Sequence, residues 1–517
     1  MSILRKIMKN KSSILIAVLG VVVGALAVNF YYSIRERRAI YDAQYKNWRK
    51  LNLILDQVEK NYVDTVDEKS LTDAAVTAAL SKLDPHSTYL PPMEREESDN
   101  SLAAGFEGIG IQFNVPNDTA VVIESIQGGP AQKSGVLAGD RLISVDDKVI
   151  AGVKYPQDSM VRRMKGPAGT KVIVTVKRGD ELIPFEITRG RIPQHSVDAA
   201  FMATPDAGYV RVSKFSRSTF MEFSQAVEKL SKEGMDRLVI DLRDNSGGYF
   251  DQALLMSNMF LPKDSLIVYL EGRKRPREDY RADGKGKYQD LKLSLLVNEG
   301  SASSSEIFAG ALQDNHRAII VGRRSFGKGL VQEPINFTDG SGIRLTVARF
   351  HTPSGRCIQK PYSEDYAYEV YKRYSNSEMV SADSMKLEKG GIIPDVFVPL
   401  DTTRASDFYI TCNKKAVALR FASAFFDKHA AELSAIDNFD ELCRYFESVD
   451  LEKQFLDFAS VKERIVPKKH EWDKSKSYMM PQVKALVGRY SKLGENAFYR
   501  FYLDIDETFA AALLSSK

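Results

Sequence analysis

The sequence predicts a multidomain α/β (α+β) protein, in which mainly helical regions flank a small β-rich module and a larger core of alternating strands and helices. At 517 residues the chain is too long for one ordinary hydrophobic core, and its length suggests about three domains. Short continuous apolar runs alternate with helical segments between 194 and 402, which indicates a buried and mainly parallel sheet. From 403 to 517 the apolar residues recur at helical spacing.

The composition is that of a globular protein and argues against several functional classes. Hydrophobic residues make up 44% of the chain and charged residues 27%, which is too apolar for a disordered protein. The net charge is +4, both signs are mixed, and no basic stripe with interleaved aromatic residues occurs, so we expect no nucleic-acid partner. The three cysteines, Cys357, Cys412 and Cys443, lack the paired spacing of a metal site, although a disulfide between two of them stays open. We expect no metal and no other cofactor.

The N-terminal region, residues 1–38, has the pattern of a membrane-targeting segment. Four basic residues within the first eleven precede an apolar run that begins at Ile14, and aromatic residues extend the run to Tyr32. Its length is close to the ~20 residues that a transmembrane helix needs. We interpret it as a signal anchor with the N-terminus in the cytoplasm and the bulk of the chain outside. A cleaved signal peptide that ends near Ala25-Leu26-Ala27 is the alternative.

Residues 39–102 are predicted to form a helical region. Apolar residues from Trp48 to Tyr62 form a stripe at helical spacing, and Ala74 to Leu83 resumes it. The helical pattern then ends at the proline of the run DPHS, residues 84–87. A single histidine in a turn is more often structural than catalytic, so we assign His86 no chemical role.

A module that resembles a PDZ domain follows over residues 103–193. Its glycine turns, strands and short helix come at close intervals: GIGI at 108–111, GGPA at 128–131, GDRL at 139–142, a helix-like piece at 158–164 and an alternating strand at 171–177. In a PDZ domain the backbone N–H groups of a glycine turn bind a terminal carboxylate, and a strand edge pairs with the extended peptide. The resemblance therefore predicts peptide binding at Gly108, Ile109, Gly110 and Ile111. An unrelated small β domain with turn glycines is the alternative.

The predicted core, residues 194–402, contains several apolar strands that end in polar or small residues. The strand from Arg237 to Leu242 leads into Asn245-Ser246-Gly247-Gly248. Ligand-binding loops of α/β proteins lie at such carboxyl ends of parallel strands. The alternation continues through strands at 266–270 and 293–297, and we expect the sheet to close with the strand 342–350.

The turn after the strand 293–297 is the strongest candidate for a catalytic site. Residues 300–303 (GSAS) lead into a helix-like segment, so a serine hydroxyl lies beside free backbone N–H groups and the positive end of the helix dipole. A nucleophile that faces an oxyanion uses such a place, although a serine-rich turn that only caps a helix is the simpler interpretation. Lys328 favours the catalytic interpretation, because a lysine between two glycines after an apolar strand is unusual for a solvated surface charge.

Two regions carry no chemical signal. Residues 361–385 form a polar, tyrosine-rich insertion that we cannot assign, after which 390–396 returns to a strand. The amphipathic helices predicted over 403–517 have the pattern of a hydrophobic core.

The motifs, taken in their order along the chain, resemble the C-terminal processing (tail-specific) peptidases, a family of serine proteases with a Ser–Lys dyad. Besides the PDZ-like module they are DPHS at 84–87, DLR at 241–243, GSAS at 300–303, FGKG at 326–329, TPSGR at 352–356 and IPD at 393–395. The likeness covers about residues 40–400. It implies a ClpP/crotonase-like α/β serine protease domain over 194–402.

The resemblance also implies the catalytic residues. It makes Ser303 the nucleophile, Lys328 the general base and Gln332 the hydrogen-bond partner of the lysine. A lysine at its free pKa of about 10.4 is protonated and cannot act as a base. Burial without a carboxylate partner would lower that pKa, and Gln332 can orient the amine without adding charge.

The oxyanion is expected to bind the N–H group of Ser304 and that of Gly247 or Gly248, and the sequence leaves the choice of glycine open. The family pattern usually has alanine after the nucleophile, whereas this chain has Ser304. Ser304 and Ser305 therefore remain rivals of Ser303 for the nucleophile.

The predicted function is that of a membrane-anchored serine endopeptidase, whose protein or peptide substrates are recognised by their free C-terminal tails. We expect one membrane helix in the bacterial inner membrane and a catalytic part that faces the periplasm, while homo-oligomerisation stays open. A catalytically inactive, membrane-tethered PDZ scaffold is one alternative. A Ser–Lys hydrolase of non-peptide acyl groups is another, but it would need Ser-x-x-Lys on a helix, which does not occur near Ser303.

Overall fold

The computed structural model describes residues 49–95, 98, 105–116, 118–126, 128–193, 195–362, 390–400 and 406–515, with isolated positions at 24, 28 and 31. The predicted membrane segment and the tyrosine-rich insertion therefore lie almost entirely outside the described residues. Within the described residues, no helix combines the length and the apolar character needed to cross a membrane. The chain separates into two compact units, residues 1–82 and 83–517.

The first unit contributes two described helices, which confirms the predicted helical character there. Helix α1 covers residues 49–61 and helix α2 spans Glu68–Ser81. Asp67 caps α2, since its carboxylate accepts the N–H group of Lys69 at 3.1 Å.

The PDZ module is a six-stranded antiparallel sheet with two short helices and a separate two-stranded pair. Its sheet has the order β3-β4-β5-β7-β8, with β6 paired to β5, and β2 pairs with β9. The elements are β2 Gly105–Gly108, β3 Ile111–Asn114, β4 Ala120–Ser125, α3 Pro130–Ser134, β5 Arg141–Val145, β6 Lys148–Val149, α4 Gln157–Met164, β7 Lys171–Arg178, β8 Glu181–Thr188 and β9 Gly190–Pro193. Because β3 lies at the edge of the sheet, its outer backbone groups can pair with an added peptide strand.

The catalytic core is built on a six-stranded sheet of order β10-β11-β12-β15-β16-β19, in which only the β10–β11 pair is antiparallel. The strands are β10 Val197–Met202, β11 Ala207–Val212, β12 Arg237–Asp241, β15 Lys292–Val297, β16 Ile319–Gly322 and β19 Val396–Phe397. Three helices pack on one face: α5 Thr219–Lys232, α6 Phe250–Asn258 and α7 Ser304–Asp314. The predicted buried, mainly parallel sheet is confirmed.

A second, antiparallel sheet corrects one sequence prediction. Its order is β1-β18-β13-β14, with β17 paired to β18. Its strands are β1 Thr88–Leu90, β13 Leu266–Gly272, β14 Arg275–Arg281, β17 Leu330–Asn336 and β18 Gly342–His351. The prediction that 266–270 and 342–350 continue and close the parallel sheet is wrong. Only two residues join β13 to β14, and so short a connection can only link antiparallel strands. β13 therefore pairs with β14 in the antiparallel sheet and not with the parallel strands.

The C-terminal region is helical, as predicted, and its last two helices cover the second face of the parallel sheet. The helices are α8 Asp407–Lys414, α9 Val417–Ala435, α10 Phe439–Ser448, α11 Leu451–Asp457, α12 Lys469–Gly488, α13 Gly494–Leu503 and α14 Glu507–Ser515. Alternate strand residues such as Val239 and Leu296 pack against Phe509 and Ala512 of α14. The sheet is therefore buried on both faces.

Candidate active site

Ser303 lies at the turn between strand β15 and helix α7, in a conformation that is rare for a residue other than glycine. Its φ is 54° and its ψ is −113°. Such backbone strain persists where the surroundings fix it, and it is common at functional sites. Two hydrogen bonds hold this turn against the loop that follows strand β12. Ser301 Oγ donates to Leu242 O at 2.8 Å, and Ala302 N donates to Asn245 O at 2.9 Å. The turn thus holds Ser303 at the carboxyl end of the parallel sheet.

The carboxylate of Glu306 joins the Ser303 turn to the Lys328 loop. Its Oε2 accepts the N–H groups of both Ser303, at 2.9 Å, and Lys328, at 2.8 Å. Its Oε1 accepts Gly327 N at 2.6 Å and Ser325 Oγ at 2.5 Å. Burial raises the pKa of Glu306, while these four donors favour its ionised form. The sequence analysis missed Glu306, although Ser-x-x-Glu at the start of a helix is the spacing of a capping box.

Lys328 is partly buried, and its amine faces Gln332. Its Nζ donates to Gln332 Oε1 at 3.2 Å. The nearby carboxylate of Glu306 accepts the backbone N–H group of Lys328, whereas the described partner of the amine is the uncharged Gln332 oxygen. Burial lowers the pKa of Lys328, and the charge of Arg344 lowers it further, against opposing contributions from Glu306 and Asp84. The arrangement therefore meets the conditions that a neutral lysine base requires.

The DPHS turn fixes the orientation of the Gln332 amide. Gln332 Nε2 donates to the backbone oxygen of His86, so the amide presents its oxygen to Lys328. Asp84 shapes the turn by accepting His86 N at 2.8 Å and Ser87 N at 2.7 Å. From the sequence, this run was predicted only to end a helix and to be one of the motifs shared with the family. Its contact with Gln332 could not be predicted, because a backbone oxygen makes it and any residue type has that oxygen.

The His86 side chain is neutral at physiological pH. Burial lowers the pKa of His86 to about 4, and Lys328 acts in the same direction whenever its amine is protonated. The imidazole therefore places no positive charge beside the amine of Lys328.

Gly247 lies directly beside Ser303, and the carbonyl oxygen of Gly248 accepts Ser304 Oγ at 3.0 Å. A Cβ on Gly247 would lie 2.8 Å from the Ser303 Cβ and 2.9 Å from Ser304 N, and φ is positive at both glycines (98° and 146°). The Gly247 N–H group donates to Asn245 Oδ1 at 2.9 Å. In the described part of the chain, the N–H groups of Gly248 and Ser304 have no acceptor within hydrogen-bonding distance. Both are therefore available to an oxyanion.

A buried cluster of charges supports the glycine loop from behind. The Asp241 carboxylate forms two ion pairs, Oδ1 with Arg211 Nη1 at 2.8 Å and Oδ2 with Arg243 Nη2 at 2.6 Å. Arg243 Nη2 also pairs with Oδ2 of Asp506, in the C-terminal region, at 2.5 Å. Burial raises the pKa of Asp241, but the charges of Arg243 and Arg211 outweigh it and hold that pKa well below its usual range. The DLR motif is thus a structural support of the loop that carries Gly247 and Gly248.

The predicted peptide-binding residues form the turn from β2 into the edge strand β3. The carbonyl oxygens of Ile109 and Gly110 accept Ala131 N at 2.8 Å and Ile126 N at 3.0 Å. For the N–H groups of Ile109 and Gly110, no acceptor is found among the described residues. Gly108 and Ile111 belong to β2 and β3.

Comparisons with known proteins identify the family. The profile of peptidase family S41 matches residues 206–368, and that of the PDZ domain matches 108–188. A carboxy-terminal-processing protease of Bartonella bacilliformis is 38% identical over 323 residues, which cover 61% of this chain and 73% of that protein. The chain belongs to peptidase family S41. This S41 protein is a serine peptidase of the carboxy-terminal processing type, which confirms the predicted family, enzyme class and PDZ domain.

Other relatives of this S41 peptidase include the carboxy-terminal processing protease CtpA of Bacillus subtilis, 34% identical over 60% of the chain and 66% of that protein. A probable CtpA-like serine protease of Staphylococcus epidermidis is 32% identical, and the chain spans 65% of its length. Among solved structures, a photosystem II D1 C-terminal processing protease is 27% identical over 67% of this chain and 91% of that one, with a TM-score of 0.37. Residues 408–491 match a family of unknown function (DUF8443). The likeness to ClpP and crotonase, the domain boundaries and the roles of individual site residues stay predictions.

Proposed function

We propose that this S41 peptidase hydrolyses peptide bonds with Ser303 as the nucleophile and Lys328 as the general base, oriented by Gln332. The observation that carries the proposal is the setting of the lysine amine. Its Nζ is bound by the uncharged oxygen of Gln332, and burial lowers its pKa. A lysine that lacks a charged partner loses its proton at a lower pH and can accept one from a serine hydroxyl.

The chemistry proceeds in two stages. As Ser303 Oγ attacks the carbonyl carbon of the scissile bond, its proton moves to Lys328 Nζ, and the carbonyl oxygen becomes the oxyanion. When the C–N bond breaks, the leaving amine takes the proton from Lys328 and an acyl-serine remains. A water molecule then gives a proton to Lys328 and attacks the acyl-serine. The C–O bond to the serine then breaks, the proton returns from Lys328 to Ser303 Oγ, and the product leaves as a carboxylic acid that loses its proton to solvent.

We assign the oxyanion to the N–H groups of Ser304 and Gly248. The Gly247 N–H group already donates to Asn245 Oδ1, whereas those of Gly248 and Ser304 have no acceptor in the described part of the chain. Donors that are fixed before the reaction stabilise charge as it develops. The proposal thus favours Gly248 over Gly247, the two glycines between which the sequence left the choice open.

We favour Ser303 over its two rivals because their hydroxyls are engaged. Ser304 Oγ donates to Gly248 O at 3.0 Å, and Ser305 Oγ donates to Asn245 O at 2.9 Å. Both side chains are buried, whereas Ser303 is partly exposed.

The experiment compares Ser303→Ala with Ser304→Ala and Ser305→Ala. Cleavage of an unfolded protein would be followed by mass spectrometry, and labelling of the full chain by a fluorophosphonate would report the nucleophile. We expect only Ser303→Ala to lose both labelling and at least 1000-fold of the activity, on the order of the loss when a nucleophile is removed. Labelling that persists in Ser303→Ala but disappears in Ser304→Ala or Ser305→Ala would move the nucleophile to that residue.

We further propose that the PDZ domain selects substrates by their C-terminal tails. The available N–H groups of Ile109 and Gly110 suit a terminal carboxylate, and the edge strand β3 suits the extended residues before it. A PDZ domain that only packs against its neighbours is the alternative. Hydrogen bonds to a charged group contribute ~1.5–3 kcal/mol, so a free-acid peptide should be cut roughly 10- to 150-fold faster than its amide. Equal kcat/KM values for the two peptides would remove this proposal and leave the dyad intact.

The sequence supports the proposal that one N-terminal helix anchors the enzyme in the bacterial inner membrane, with its catalytic part in the periplasm. The apolar run from Ile14 to Tyr32 and the basic residues before it carry this proposal. Protease added to spheroplasts should digest the catalytic part, and full protection until the membrane is disrupted would contradict the orientation.

A further inference from the structure

The helical region that matches a family of unknown function contacts the PDZ domain through an ion pair. The guanidinium of Arg141, in the first position of β5, donates to both carboxylate oxygens of Asp427 on α9, at 2.9 and 2.8 Å. Two parallel hydrogen bonds of this kind fix direction as well as distance. The contact therefore sets how the two domains face each other.

An apolar contact next to the ion pair adds shape complementarity. Gly139 has a φ of 87°, and a Cβ at this position would overlap the ring of Phe426. The Phe426 ring stacks in turn on Tyr490, with the centroids 4.8 Å apart. Glycine thus allows an aromatic ring of the helical region to lie directly on the PDZ backbone.

The C-terminal helices are also fixed to the catalytic sheet. Asn496 of α13 accepts Ala200 N of β10 at 2.9 Å, and Arg237 of β12 donates to Leu513 O of α14 at 2.7 Å. The C-terminal helices taken together, residues 407–515, therefore bridge the PDZ domain and the sheet that carries the active site.

The contacted PDZ segment lies close to the predicted carboxylate-binding turn. Ile109 O accepts Ala131 N of the short helix α3, and residues 135–141 continue directly from the end of that helix. Asp140 stiffens this segment by accepting Leu137 N at 2.9 Å and Arg178 Nε at 2.7 Å. A short, hydrogen-bonded path thus joins the turn to the helical region.

We propose that the C-terminal helices, residues 407–515, form a dock that holds the PDZ domain in a fixed position relative to the active site. A tail bound by the docked PDZ domain leads the preceding part of the substrate to Ser303. The Arg141–Asp427 ion pair and the Gly139–Phe426 contact form the docking surface. This inference rests on the proposed recognition of tails by the PDZ domain.

The test uses charge reversal in the full-length enzyme: Arg141→Asp, Asp427→Arg and the double variant that exchanges the two charges. The measured quantity is the ratio of kcat/KM for a free-acid peptide to that for its amide. We expect each single variant to lower this ratio about 3- to 10-fold, because an ion pair is lost and like charges face each other. The double variant should return it to within about 2-fold of the wild-type value, and the rate for the amide should stay unchanged throughout.

Lys171→Glu is the matched control, because it reverses one charge of an exposed pair within the PDZ domain, Lys171 with Glu186 at 2.6 Å. It should leave the ratio unchanged. Fluorescence anisotropy with a labelled tail peptide should give the same Kd for the single variants and the wild type, since the dock does not form the peptide groove.

Single variants that keep the wild-type ratio would overturn the dock and leave tail recognition standing. A double variant whose kcat/KM ratio stays as low as that of the single variants would also overturn the dock. The same holds if the Kd for the tail peptide rises in the single variants by the factor by which the ratio falls. A wild-type ratio of 1 would overturn both the dock and the recognition of tails.

Discussion

At the scale of single residues, the proposed proton transfer depends on the amine of Lys328 having an uncharged partner. Gln332 Oε1 lies 3.2 Å from Nζ, and the backbone oxygen of His86 binds the other side of the amide. An amide in this place orients the amine and stabilises its protonated form less than a full negative charge would. A carboxylate in the same place would stabilise the protonated amine.

Gln332→Glu is therefore expected to be more damaging near neutral pH than its small change in shape suggests. A carboxylate beside the lysine would raise the pKa of Lys328, so the rate at pH 8 should fall roughly 10- to 1000-fold and recover as the pH rises. The measurement is kcat/KM against pH. Gln132→Glu makes the same substitution at an exposed residue of the PDZ domain and serves as the control. A loss in Gln332→Glu that does not recover at high pH would contradict the electrostatic role of the amide.

At the scale of elements, α14 is expected to stabilise the catalytic core. Asp506, just before α14, pairs with Arg243 through Oδ2 and accepts the N–H groups of Thr508 and Phe509 through Oδ1, both at 3.0 Å. One residue therefore both caps a helix and neutralises an arginine of the buried charge cluster.

Asp506→Asn should lower the free energy of unfolding by about 3–5 kcal/mol, because it leaves a buried arginine without part of its countercharge. Urea unfolding of the purified enzyme measures the change. Asp504→Asn, at an exposed position two residues earlier, should change stability by less than about 0.5 kcal/mol. Equal stability of Asp506→Asn and the wild type would mean that Asp241 and Asp506 do not share the Arg243 charge as described.

At the scale of the whole molecule, the sequence predicted features that a short stretch of chain determines. The Ser303 turn, the Lys328 loop, the PDZ strands and β12 all carry local signals of turn glycines and apolar periodicity. It could not predict contacts between distant parts of the chain. Gln332 with His86, Arg243 with Asp506 and Arg141 with Asp427 are each separated by more than 200 residues. The pairing of β1 with β18 across the entire PDZ domain is of the same distant kind, whereas the β13–β14 hairpin is local and was missed although only two residues join its strands.

The organisation of the whole chain then follows from these distant contacts. The PDZ domain, the catalytic sheet and the helical region are not independent modules, because the helical region contacts both of the others. The proposed activity nevertheless depends on one proton transfer, from Ser303 to a neutral Lys328.

The pH dependence of kcat/KM, measured for the wild type and for Lys328→Ala, tests this claim most directly. Because burial lowers the pKa of Lys328, its neutral form exists above that lowered pKa, so the wild-type rate should rise with pH through an apparent pKa below the ~10.4 of free lysine. Lys328→Ala should lose at least 100-fold of the activity, the lower range of what a general base contributes, and should lose this rise as well. A Lys328→Ala enzyme that keeps the wild-type profile would contradict the account.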